Sequence, residues 1–244
     1  MSSTGKKNTQ KQEKIVSMFD DIAPTYDTAN RVMSMGVDKS WRRKACDLAY
    51  EYAGADSLDK IVDVACGTGD MMDFWRERSE KMGIAIGEIV GVDPSNGMVN
   101  VARKKYPKFN YHISKATEIP LKDASADILS ITYGIRNVVE REAALQEFNR
   151  VLKKDGLVVI LEFMKNDHPS ILGKVRDFYM NKILPKIGGF ISKNIEAYEY
   201  LPNSIGDFST VENMQNELKS AGFEMLYTQS FSMDISTLLI ARKK

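Results

Sequence analysis

Residues 61–69 read IVDVACGTG, and a second apolar run, IVGVDPS, closes on Asp93. Both are short apolar segments ending on groups that can meet a ligand. Gly67 and Gly69 leave backbone N–H groups open to close approach, because glycine carries no Cβ. Thr68 adds a hydroxyl, Asp63 a carboxylate, and Asp93 an acceptor pair suited to the two hydroxyls of a ribose. Strands that bring a glycine turn and an acid to the same end of a parallel sheet make a nucleoside site.

The turn then discriminates among nucleosides. A dinucleotide fingerprint needs G-x-G-x-x-G, and the third glycine position is held by Met72. Asp70, directly after the turn, repels a pyrophosphate by like charge. An adenosine ligand that is cationic near this turn meets both objections. S-adenosylmethionine, with its ammonium and sulfonium, has that character, and Asp63 and Asp70 then favour it. A nicotinamide oxidoreductase is disfavoured by the same residues.

The bulk numbers narrow the class. The chain has 244 residues, 34 basic and 33 acidic, for a net charge of +1. It is 43% hydrophobic and 27% charged, which suits one α/β domain with its own core. The near-neutral balance and the lack of a basic, aromatic-rich stretch disfavour a nucleic-acid partner, RNA methylation included. Two cysteines, Cys46 and Cys66, and two histidines, His112 and His168, offer no metal-ligand spacing and no disulfide framework. Cys46 reads as a small core residue and Cys66 as a side chain small enough for the turn. No run approaches the roughly eighteen apolar residues of a membrane-spanning helix. The polar opening, residues 1–12, has no apolar signal core and reads as a disordered tail. A cytoplasmic enzyme is the default.

The elements that must position these residues alternate. Strands are expected at 60–65, 88–93, 109–114, 126–132 and 157–163, with helices at 69–82, 95–106 and 141–153 between them. Ser95 is placed as a helix N-cap. Such a βαβ series makes a doubly wound parallel sheet. After Phe163 the alternation breaks: 168–206 is helical in character, a helix follows near 210–221, and runs 223–230 and 235–241 suggest an antiparallel sheet edge. The domain reading is one unit over 13–244, with a helical cap at 13–55 and a lid over the acceptor at about 168–206.

The motifs YDTANRVMSMG (26–36) with Trp41, DVACGTGD (63–70), GVDPSNGM (91–98), YGIRNV (133–138), RVLKKDG (150–156), LEFMK (161–165), ILPKIGG (183–189), AYEYLPNSI (197–205) and AGF (221–223) carry a closer likeness. On them the chain resembles class I S-adenosylmethionine-dependent methyltransferases. Within these it is similar to the demethylmenaquinone / 2-methoxy-6-polyprenyl-1,4-benzoquinol methyltransferase family, from about residue 13 to 242. The resemblance implies a Rossmann-like, doubly wound sheet of seven strands, mostly parallel with an antiparallel C-terminal edge strand. It implies that Thr68 and the backbone of Gly67 and Gly69 hold the methionine part of the cofactor above Asp63. Asp93 takes the ribose hydroxyls and Met98 packs on the adenine. Lys115-Ala116 stand where relatives carry Asn or Asp before Ala, so adenine contact there falls to the backbone. Thr132 matches a cofactor position usually held by Ser. A further departure is Ser232, Met233 and Asp234, where relatives carry T-x-G-x-x-x-L-H.

The implied reaction is methyl transfer to a ring carbon of a prenylated hydroquinone, demethylmenaquinol becoming menaquinol, with the ubiquinone-pathway benzoquinol also open. Alternatives are another small aromatic or lipid acceptor, or a non-catalytic scaffold of a biosynthetic complex. Arg136 and Asn137, beyond the fourth strand, stand where the acceptor sits, and a guanidinium there favours phenolate charge. Tyr26 and Asp27 are the other candidate catalytic residues; Asp27, Tyr26 or water would remove the proton. Residues 171–190 carry apolar and basic side chains at helical spacing. They read either as a lid helix or as a surface that docks on the inner face of the membrane. A homodimer is left open.

Overall fold

The computed structural model describes residues 3–166, 189, 194–232 and 234–244. The expected docking segment at 171–190, and with it most of the expected lid at 168–206, lies outside the described residues. The apolar runs become strands β1 (Ser57–Val64), β2 (Ala85–Asp93), β3 (Asn110–Ile113), β4 (Ala126–Thr132), β5 (Leu152–Glu162), β6 (Phe223–Phe231) and β7 (Ser236–Lys243). They form one seven-stranded sheet in the order β3-β2-β1-β4-β5-β7-β6. β1 to β5 pair in parallel. β7 runs antiparallel to both β5 and β6, the hairpin edge expected from the sequence. The strand order reverses between β1 and β4, and a ligand crevice opens at the carboxyl ends around such a point.

A strand buried on both faces reads as continuous apolar sequence because its side chains alternate between two cores. Ile61 and Ile128 join Leu157, Val159 and Leu161 on one face, under α3 (Asp38–Ala53) and α4 (Asp70–Met82). Val62, Val64, Leu129, Val158 and Ile160 join the other, under α6 (Arg141–Val151) and α8 (Val211–Ser220). Fully buried Trp75 on α4 and Phe148 on α6 are the large anchors of the two layers.

A third apolar cluster builds the cap. Helices α1 (Ser3–Ile22) and α2 (Tyr26–Met33) pack through Ile22, Ala29 and Met33 on Met98 of α5 (Asn96–Lys105) and Ala197 of α7 (Ile195–Gly206). Here the structure corrects the sequence reading, because the stretch expected as a disordered tail is helical from Ser3 onward. Its anchor is Gln12, whose amide donates to the Asn137 carbonyl (3.2 Å) while its oxygen accepts from the Val139 N–H (3.0 Å). Polar composition concealed a helix tied down by polar contacts. Asp20 on α1 accepts from the Gly97 N–H (2.7 Å) and the Ser95 hydroxyl (2.6 Å), placing a carboxylate at the N-terminus of α5. Ser95 itself caps α5, accepting from Met98 N at 3.1 Å, as its position predicts.

Candidate active site

β1 ends in a tight turn in which Ala65, Gly67 and Gly69 have φ of 51°, 54° and 84°. Glycine is suited to such left-handed backbone. The turn carries Gly67 toward the end of β2, where its N–H donates to Asp93 Oδ2 at 2.9 Å. The Ser95 N–H donates to Asp93 Oδ1 at 2.8 Å. Each carboxylate oxygen is thus oriented and keeps a lone pair, which suits a ribose diol. Burial pushes Asp93 up to about 6 against the lowering effect of these two N–H groups. Asp63, at the end of β1, is pushed up to about 7 by burial. It accepts from the Ser130 hydroxyl (2.6 Å), which in turn accepts from Trp75 Nε1 (2.9 Å). That chain ties β1, β4 and α4 beneath the turn.

Two cavities flank the turn. The first is lined by Gly67, Asp93, Met98, Lys115, Ala116 and Thr132, with Asn137 and Tyr26 at its far side. Met98 and Ala116 are buried, whereas Lys115 is exposed. The second is small and polar, lined by Asp63, Gly67, Thr68 and Thr132 with Asp27, Asp70, Arg31 and Arg42. An apolar slot beside an oriented acid fits an adenosine, and a polar pocket next to it fits a zwitterionic methionine half. Gly69 lines neither cavity. It serves packing, since a Cβ there would lie 3.1 Å from Tyr106 and 3.2 Å from the Tyr111 hydroxyl. Met72, standing in for the third glycine, is buried against β2, and its sulfur would lie 2.8 Å from a Cβ at Gly91. The close helix–strand approach is kept, with the glycine on the strand instead of the helix.

A third cavity of about 300 Å³ is mostly apolar, with Met33, Trp41, Tyr133, Phe163, Leu201 and Ile235 among its walls. Arg136 enters it beside Tyr26 and Arg42. Tyr26 borders all three cavities, standing between the nucleoside cleft and the apolar chamber. Burial raises its phenol, while Arg136 and Arg42 draw it down. Tyr133 takes a φ of 57°, uncommon for a bulky side chain. Its ring stacks on Phe163 at 4.5 Å and its hydroxyl meets Ser236 Oγ at 3.1 Å.

The predicted catalytic residues are divided between these spaces. Arg136 lies in the chamber wall, and its Nη1 donates to Glu162 Oε1 (2.6 Å) and to the Tyr133 carbonyl (2.7 Å). Asn137 lines the nucleoside cleft instead, its Oδ1 accepting from the Tyr200 hydroxyl at 3.0 Å. Asp27 is likewise absent from the chamber wall. It accepts from Thr68 Oγ1 at 2.5 Å and from Lys105 Nζ at 2.7 Å, over the methionine pocket. Adjacent residues on a helix point about 100° apart, so Tyr26 reaches the apolar chamber while Asp27, its neighbour in the polar pocket, does not. The structure places Asp27 in an ionic cluster with Lys105, Asp70 and Arg31. Sequence reasoning missed Glu162, Arg42, Tyr200 and Lys105. For Glu162 there was a signal, a lone carboxylate ending the apolar strand LVVILEF, which demands a buried partner.

A doubly wound sheet with an acid-bearing, pyrophosphate-averse glycine turn at its switch point defines a class I S-adenosylmethionine-dependent methyltransferase. The likeness to solved structures has the same fold. One is the putative methyltransferase bound to the Trm112 activator of Haloferax volcanii, with a TM-score of 0.63 at 16% identity over 92% of this chain and 96% of that one. Another is a SAM dependent methyltransferase from Aquifex aeolicus, with a TM-score of 0.53 at 17% identity over 76% of this chain and 82% of that one. The particular family follows from sequence: the chain belongs to the ubiE/COQ5 methyltransferase family, which it matches over residues 7–243. It is 54% identical over 234 residues to the ubiquinone/menaquinone biosynthesis C-methyltransferase UbiE of Campylobacter jejuni strain 81-176, covering 96% of this chain and 99% of the relative. It is 36% identical over 235 residues to the demethylmenaquinone methyltransferase of Chlorobaculum parvum, covering 96% and 95%.

Proposed function

We propose that this protein methylates a ring carbon of a prenylated hydroquinone, with demethylmenaquinol as its acceptor and 2-methoxy-6-polyprenyl-1,4-benzoquinol as a second. The observation that carries the reading is the apolar chamber with the Arg136 guanidinium in its wall, joined to the nucleoside cleft through Tyr26. The names of the relatives agree with it. S-adenosylmethionine, when bound, supplies the methyl group. Asp93 orients its ribose, and the pocket at Asp63, Thr68 and Gly67 receives its amino-acid half. The rings of Tyr133 and Phe163 hold the acceptor flat, since a stacked pair presents an apolar wall to an aromatic ligand. Arg136 stabilises the phenolate that makes the ring carbon nucleophilic. Burial keeps the Tyr26 hydroxyl protonated, so it donates to an acceptor oxygen, and the phenolic proton leaves to water. Fixed alignment of carbon, methyl and sulfur contributes about 7–11 kcal/mol to lowering the barrier.

Labelled S-adenosylmethionine with reduced demethylmenaquinone, run beside the benzoquinol, tests this. Label in menaquinol supports it, and label in neither quinol overturns it.

A prenyl tail longer than the chamber has to leave through its mouth. That mouth lies at the turn between α2 and α3, where Val32, Met35 and Val37 are 48%, 81% and 40% exposed. Met35 and Val37 also line the chamber, so the exposed apolar lip continues its wall. Lys39 and Lys44 are exposed on the next helix. This lip is proposed to rest on an anionic lipid surface. Among the described residues no helix is long and apolar enough to cross a membrane.

A further inference from the structure

The polar pocket beside the glycine turn holds more acid than base, and its bases are unequally engaged. Arg31 is shared between Asp38 and Asp70, and Lys105 between Asp27 and Asp70. Arg42 differs. Its side chain is only 12% exposed, and its hydrogen bond is a long one, from Nε to Asp38 Oδ2 at 3.4 Å. Among the described residues neither Nη1 nor Nη2 has a hydrogen-bond partner. The guanidinium carbon sits 5.2 Å above the Tyr133 ring centre, which supports the cation from below. Arg42 lines both the polar pocket and the acceptor chamber, so this cation stands at their seam.

We propose that Arg42 is the carboxylate anchor for the amino-acid half of S-adenosylmethionine. A nearly buried guanidinium with its fork unfilled is matched by a planar anion that accepts two parallel N–H bonds. The methionine half is a zwitterion. Its ammonium has Asp63, 1% exposed and hydrogen-bonded to the Ser130 hydroxyl alone among the described residues, in the same pocket. Its carboxylate needs a cation with donors to spare, and Arg42, whose Nε alone pairs with Asp38, keeps Nη1 and Nη2 for it. Occupied in this way, Arg42 also fixes the wall between cofactor and acceptor through its position over Tyr133.

The test is calorimetric and does not depend on turnover. S-adenosylhomocysteine, decarboxylated S-adenosylmethionine and 5′-methylthioadenosine are titrated into the wild-type protein and into Arg42→Gln and Arg42→Lys. Thermal unfolding is used to check that the variants fold. Arg42→Gln is expected to weaken S-adenosylhomocysteine at least about tenfold, as for a charge-assisted hydrogen bond. The two ligands without a carboxylate should change less than about twofold, and Arg42→Lys should fall between. Equal weakening of all three ligands would overturn the proposal by making Arg42 a general support of the cleft. Unchanged affinity for all three, with any loss confined to the KM for the quinol, would overturn it in favour of the acceptor side.

Discussion

Arg136 and Glu162 form a buried ion pair at the chamber wall, 2.6 Å apart, with side chains 7% and 0% exposed. Glu162 accepts from Nη1 of Arg136, from its backbone N–H at 3.3 Å, and from the Phe163 N–H at 2.8 Å. Arg136 therefore does not swing freely toward the acceptor. It is held at the chamber by the last residue of β5, and Phe163, the next residue, lies under the guanidinium at 5.4 Å. In the proposed reaction, that fixed orientation would let the guanidinium act on a phenolate without reorganising.

Glu162 should accordingly matter for both stability and rate. Glu162→Ala leaves a buried guanidinium unpaired and is expected to cost about 3–5 kcal/mol in denaturant-induced unfolding. Glu162→Gln keeps the shape, but its amide must turn an NH₂ toward a donor, because both carboxylate oxygens now accept. We expect it, like Arg136→Ala, to lower kcat at least about tenfold while leaving S-adenosylhomocysteine affinity unchanged. Full turnover in either variant would remove the pair from the chemistry.

Asp93 predicts a pH dependence whose sign differs for stability and for binding. Its folded value, about 6, lies above the ordinary 3.8 of an aspartate. The folded state holds the proton more tightly than the unfolded one, so this group's contribution to stability falls as pH rises from about 4 through 6. Cofactor binding runs the other way, since only the carboxylate accepts both ribose hydroxyls. Between pH 7 and 5 the association constant for S-adenosylhomocysteine should drop by about tenfold, with proton release on binding near pH 6. Asp93→Ala should bind at least about tenfold more weakly and lose most of this dependence. A pH-independent affinity in the wild type would refute the assignment of Asp93 to the ribose.

Much of this arrangement was legible in sequence because it depends on local rules. Strand ends coincide with Asp93 and Thr132 because apolar runs stop where the sheet meets the crevice, and Ser95 caps because its hydroxyl precedes a helical stretch. Met72 read as a missing glycine, and the reason is tertiary: Gly91 on β2 provides the close approach. What local pattern does not carry is direction and long-range pairing. Asp27 and Tyr26 are adjacent in sequence and share the polar pocket, yet only Tyr26 reaches the apolar chamber. Tyr200 reaches Asn137 across 63 positions, joining AYEYLPNSI to YGIRNV. The helical start at Ser3 was hidden because polarity reads as disorder when its partners, Asn137 and Val139, lie far along the chain.

Gly134 supplies a steric prediction. A Cβ at this position would lie 2.5 Å from the Ala65 Cβ and 3.2 Å from Ile131 Cγ1. Ala65 belongs to the glycine turn, so the turn and the YGIRNV segment are packed in direct contact. Gly134→Ala forces them apart, and such overpacking costs about 1–3 kcal/mol. We expect a lowered midpoint of thermal unfolding together with losses in both cofactor affinity and kcat, because the two motifs can no longer share one register. A variant of wild-type stability and activity would show that the contact is easily relieved.

The lip at the chamber mouth gives a prediction that separates membrane contact from chemistry. Val32 is 48% exposed on α2 and does not line the chamber, so a charge there alters the outer surface alone. Withdrawing one inserted valine from lipid forfeits about 1.5–3 kcal/mol, which corresponds to roughly tenfold or more in partitioning. Val32→Glu adds repulsion from anionic headgroups to that loss. In co-sedimentation with vesicles containing an anionic lipid, the variant should bind at least about tenfold more weakly than the wild type. Turnover of a short-tailed quinol in detergent should remain unchanged, whereas turnover of a long-tailed quinol embedded in vesicles should fall with the binding. Retained vesicle binding in Val32→Glu would move the docking surface away from this lip.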